Sequence, residues 1–121
     1  MNYKDDYQHL LAKHLARNEK VWLALQDSGI SDTTCLQLDF NYFASSEERA
    51  EQLILFLRAE TDYDVELRSD LSAEGEWLIA GHTQKTTVSK EVLDHWVDWM
   101  AATGLANGCV FDGWGVSVEI N

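Results

Sequence analysis

The sequence predicts an α+β domain: one helix, then the order β-α-β-β-α-β. Three observations carry this. Four short segments alternate apolar and polar residues, two longer segments between them carry apolar residues at helical spacing, and three of the four strand segments are apolar on one side only. One-sided strands need cover on a single face, so both helices of the repeat are expected on the same side of a four-stranded antiparallel sheet.

The N-terminal helix spans residues 1–30. At about 100° per residue, Tyr7, Leu10, Leu11, His14, Leu15, Val21, Trp22 and Leu25 share one face, with Asn18 in its middle and Lys13, Arg17 and Glu19 outside it. Gly29 ends it, and Ser31-Asp32-Thr33-Thr34 makes a polar connection. The compact part, 36–121, begins with Leu36, Leu38, Phe40 and Tyr42 at every second position, which is strand one. Ser45-Ser46-Glu47-Glu48 supplies a capping box for a helix ending near Glu60, with Ala50, Leu53, Ile54, Phe56 and Leu57 on its buried face; Leu55 points away and is a docking spot for the N-terminal helix, whose apolar stripe must be covered in cis or in a dimer.

Strand two, Asp62 to Leu67, places Asp62, Asp64 and Glu66 on one side and Tyr63, Val65 and Leu67 on the other. Ser69 to Gly75 reads as a hairpin connection, and Glu76 to Gln84 as strand three, the least one-sided and therefore inside the sheet. Ser89 caps the next helix, and Val88 is placed to staple against Leu93. Val92, Leu93, Trp96, Val97 and Met100 form its inner face up to Gly104, with Trp99 at the margin. Strand four starts at Cys109 and is interrupted at Asp112-Gly113, a bulge signal; Val116, Val118 and Ile120 then alternate with Ser117 and Glu119. Together these elements form a ferredoxin-like βαββαβ unit, for which right-handed crossovers give the strand order 4-1-3-2.

A chain of 121 residues with 45% apolar composition and no Pro is one globular domain. The net charge of −12 sits almost wholly after residue 35, and the nine basic residues are scattered among 21 acids, so nucleic acid is repelled rather than bound. A basic protein partner is the natural match. The N-terminus is too charged for a secretory signal and no stretch is apolar enough to span a bilayer, so a cytoplasmic location without membrane attachment is expected.

Motifs for catalysis and cofactors are missing: there is no GxSxG, no phosphate-cradling Gly-rich loop and no CxxC. His9 and His14 lie on different faces of the first helix, His82 and His95 in other elements, and no metal or cofactor is expected. Cys35 and Cys109 start neighbouring antiparallel strands, hence stand at opposite ends, roughly 23 Å apart and beyond the ~7 Å limit for a disulfide. The third strand lacks the basic and paired aromatic pattern of RNA-recognition modules.

Two stretches, Glu74-Gly75-Glu76-Trp77-Leu78-Ile79 and Phe111-Asp112-Gly113-Trp114-Gly115-Val116, resemble the third-strand and terminal motifs of the regulator of ribonuclease activity B family. The resemblance runs over nearly the whole chain and implies an acidic cytoplasmic protein that binds ribonuclease E and dampens its endonucleolytic activity without catalysis. The family's enterobacterial members carry a very acidic C-terminal tail, where this sequence ends at Asn121. The residues expected to meet the partner are Asp112, Gly113, Trp114 and Gly115, together with Trp99 as an exposed aromatic anchor and the acidic row Asp62, Asp64 and Glu66. A small-molecule-binding ferredoxin-like sensor is the alternative, and an uncharacterised hydrolase a third reading.

Overall fold

A computed structural model describes residues 3–31, 33–68 and 76–117. The elements are α1 (Tyr3–Asp27), β1 (Cys35–Ala44), α2 (Glu47–Glu60), β2 (Asp64–Leu67), β3 (Trp77–His82), β4 (Thr86–Thr87), α3 (Lys90–Ala106) and β5 (Cys109–Ser117). The expected Ser69–Gly75 hairpin connection, the Glu74-Gly75 half of the first motif, Asp32, and the Val118, Glu119 and Ile120 alternation lie outside the described residues.

β1 is the central strand. It pairs antiparallel with β3 on one edge and with β5 on the other, and β3 pairs antiparallel with β2, which gives the expected neighbours β2–β3–β1–β5. The sheet nevertheless has five strands rather than four. At Thr83 the backbone N–H still donates to Leu38 O, but Leu38 N–H donates to the Thr83 hydroxyl instead of a carbonyl. This side-chain substitution breaks the ladder, and pairing resumes as the short β4 with Thr86 opposite Leu36 and Thr87 opposite Cys35.

Even-numbered residues of β1, from Leu36 to Ala44, are all buried under the helices. α2 contributes Ala50, Leu53, Ile54 and Leu57, and α3 contributes Leu93, Val97, Met100 and Ala101. Tyr42 is fully buried and donates its hydroxyl hydrogen to Met100 O at 2.7 Å. Phe56 and Val92, expected inward, lie at the margins of their helices and are largely exposed. Ser46 rather than Ser45 caps α2, accepting from Arg49 N–H, and Ser89 caps α3 by accepting from Val92 N–H. Gly104 does not end α3; it sits buried where an added Cβ would come within 2.6 Å of the Tyr42 ring. The stop lies four residues on, at the left-handed Gly108 (φ 76°), which turns the chain into β5.

α1 does not use Leu55, which stays 66% exposed on α2. It packs instead on α3 and the β5 side of the sheet, where Tyr7 donates to the Asp98 carboxylate and Trp22 joins the core.

Candidate functional site

The register of the sheet arranges in rows the face that is left uncovered among the described residues. Opposite the helices, Asp64, His82, Asp39 and Gly115 stand side by side across β2, β3, β1 and β5; the next row is Glu66, Ala80, Asn41 and Gly113. A third row sets Leu78, Phe43 and Val110 together. The face thus has a polar end with Asp64 and Asp39, a middle row that joins Glu66 and Asn41 to Ala80 and Gly113, and an apolar end. Over its β1–β2 side lies a groove of about 730 Å³ whose lining includes Asp39, Asn41, Asp64, Glu66, Ala80 and His82. The carboxylates are not isolated: Asp64 is 2.9 Å from His82 Nε2, and Glu66 accepts from Arg68 at 3.3 Å. Arg58 of α2 donates to the outward Val65 carbonyl of β2, which occupies a bonding position on that edge strand.

On β5 the register shifts between Asn41 and Tyr42, which leaves Asp112 as the extra, exposed residue of a bulge and Gly113 beside it at φ 155°. The shift restores Trp114 to the helix-covered side, opposite Phe40, where it is only 4% exposed. Its indole N–H donates to Asn18 Oδ1 at 2.8 Å, Asn18 Nδ2 donates to Asp94 at 3.1 Å, and Lys90 donates to the other oxygen of Asp94 at 3.0 Å. The Trp96 ring meets Trp114 edge-on, and the Arg17 guanidinium lies over it at 5.9 Å. The aspartate-glycine-tryptophan-glycine element therefore locks α1 to α3 and the sheet through a fully buried asparagine.

The eight residues expected to meet a partner do not form one site. Asp64, Glu66, Gly113 and Gly115 share the uncovered sheet face, whereas Trp114 points to the opposite side and is core. Trp99, 39% exposed, lies on α3 in the helical layer. Asp62 precedes β2 rather than continuing its row, because its carbonyl is taken by the Gln84 side chain. Asp112 is exposed at the bulge.

Asp39, Asn41, Phe43, Leu78 and Val110 complete the face and were missed. The odd positions of strand one carried the available signal, since they form the uncovered side of a one-sided strand. Asn18, placed in the middle of an apolar stripe, was the visible sign that α1 has a polar key.

Burial holds the His14 imidazole below its ordinary pKa. The Phe111 carbonyl, to which Nε2–H donates at 3.1 Å, works in the opposite direction, Arg17 and Lys13 lower it further, and Asp112 raises it. Burial pushes the Cys109 thiol up to about 11. Among the described residues no group of three His, Cys, Asp or Glu side chains is arranged to hold a metal ion, and no helix is long and apolar enough to cross a membrane. A second groove, about 310 Å³, lies between α3 and the segments flanking β2 and β4, lined by Leu38, Tyr63, Val88, Val92, Leu93 and Trp96 with a polar rim; Trp96 Nε1–H donates to the Tyr63 hydroxyl there. In comparisons with known proteins, this sequence matches no family model and no curated protein.

Proposed function

We propose that this chain is an acidic regulatory protein on a ferredoxin-like core that acts by protein–protein contact, without catalysis, and that ribonuclease E is its target. The uncovered sheet face is the observation that carries the contact reading. A sheet face that mixes an apolar row with carboxylates has the composition of a recognition surface. A net charge of −12 supports a basic partner and speaks against RNA as the ligand. The choice of ribonuclease E draws on the two motif resemblances alone. Binding there dampens endonucleolytic cleavage and so modulates RNA abundance.

The alternative, a small-molecule sensor, draws on the groove beside Tyr63 and Trp96, whose 310 Å³ stands at the lower end of ligand pockets. Titration of recombinant ribonuclease E with the purified chain separates the two. The expected result is saturable binding and slower cleavage of a substrate RNA, with affinity falling as the Debye length shrinks from ~10 Å at 0.1 M salt to ~3 Å at 1 M. Absence of binding at 0.1 M salt, with metabolites raising the melting temperature, overturns the proposal in favour of the sensor.

A further inference from the structure

Among the described residues nothing requires Gly115 to be glycine. It lies inside β5, where glycine weakens a strand. Its φ is not positive, and a Cβ added there would meet no heavy atom of the described residues within 4 Å. By contrast Gly104 and Gly108 are each held to glycine by close contacts or a left-handed backbone. What remains for Gly115 is an external reason: space for something that approaches the sheet.

Three features of the same face say what that is. Leu78, Phe43 and Val110 form an apolar row across three neighbouring strands, and Val110 is 46% exposed. Asp39 and Asp64 lie at the other end and Glu66 one row nearer, against Arg68; the Asp64–His82 and Glu66–Arg68 contacts are exposed and so hold these carboxylates only weakly. The middle row holds only the short side chains of Ala80 and Asn41 beside Glu66, and on the β5 side Gly113 and Gly115 carry none, with the Arg17 guanidinium at the Gly113 edge. Phe43 and Asp39 are four residues apart on β1, about 13 Å. Three strands at about 4.8 Å spacing make a floor about 10 Å wide, the diameter of one α-helix.

We propose that the uncovered sheet face seats a basic amphipathic helix of a partner protein, its apolar side chains on Leu78, Phe43 and Val110 and its cations on Asp39, Asp64 and Glu66, with Gly115 leaving room for its backbone. At 1.5 Å rise a cation on Asp39 or Asp64 stands eight or nine residues from the apolar anchors, roughly two and a half turns, and one on Glu66 four or five. This rests on the protein-contact reading of the function but not on ribonuclease E as the target. A second copy of the chain is disfavoured as occupant because it brings the same carboxylates.

The test uses the ¹⁵N-labelled full chain with two probes, recombinant ribonuclease E and a synthetic helix-forming Leu/Lys peptide of eighteen residues (about five turns). Amide shifts are expected in β1, β3 and β5 around Phe43, Leu78 and Gly115. Gly115→Tyr should leave the melting temperature unchanged and weaken both probes by roughly tenfold or more, a loss of about 1.4 kcal/mol per decade. Should that variant melt early, Val110→Glu, on an already exposed position, reads the same surface.

Ribonuclease E that binds the parent and both variants equally, with shifts confined to α2 and α3, overturns this inference and leaves the proposed function standing. A peptide lost on Gly115→Tyr while ribonuclease E never binds supports the inference and removes the target. Self-association of the parent that Gly115→Tyr abolishes assigns the face to a second copy and overturns the proposal, as does absence of shifts on the face with either probe.

Discussion

Replacing Trp114 by Phe keeps an aromatic ring in the core but removes the donor that Asn18 Oδ1 accepts, leaving that oxygen without its partner at a residue with no exposure. An orphaned buried acceptor costs about 1–3 kcal/mol. Trp114→Ala also opens a cavity beside Trp96 and should cost about 3–5 kcal/mol. Urea denaturation checks both, as a lower midpoint at unchanged slope. An Ala variant as stable as the parent contradicts the buried placement. The same residue shows how far local reading reaches: Asp112-Gly113 announced a bulge, but the direction of Trp114 after it depends on a one-residue shift against β1. Gly104 looked like a helix stop, and its role became visible only with the Tyr42 ring beside it.

At the scale of the element, α1 is held on by buried polar keys as well as by its apolar stripe. His14 is one of them, donating to the Phe111 carbonyl and so occupying a backbone acceptor of β5. Its folded pKa lies below the unfolded value of 6.5, because burial disfavours the cation. The unfolded chain therefore binds the extra proton first as pH falls. Stability from this group is complete above about pH 6.5 and is lost progressively below it, through the window down to the lowered folded value. Melting temperatures between pH 7.5 and 5 should fall for the parent and fall less for His14→Gln, which keeps an N–H donor without a titration. Equal slopes in the two proteins would show that other groups carry the acid sensitivity. The amphipathic pattern of α1 predicted that its stripe must be covered. It did not predict α3 as the cover, because the stripe is generic and the keys are pairwise.

For the whole molecule, β1 sets the distances. Cys35 pairs with Thr87 at one end of this ten-residue strand and Cys109 pairs with Ala44 at the other, about 30 Å apart. Cys35 is exposed; Cys109 is buried, with its thiol raised to about 11. In native protein at pH 8 a thiol reagent should label one cysteine rapidly and the second only after unfolding in urea. A native intramolecular disulfide is incompatible with the antiparallel neighbours β1 and β5.

Periodicity, caps and turn residues alone determined the α+β class, the order of the elements and the covered side of β1. These are properties of single segments, written at spacings of two to four residues. Tertiary structure decided the rest: the break of the third strand at Thr83, α3 rather than Leu55 as the seat of α1, Trp114 as core, and the scattering of the eight expected contact residues over both sides of the sheet. Each of these turns on a pair far apart in sequence, such as Thr83 with Leu38 or Asn18 with Trp114. Which polar group meets which is set by strand register and helix packing, and no local pattern encodes it.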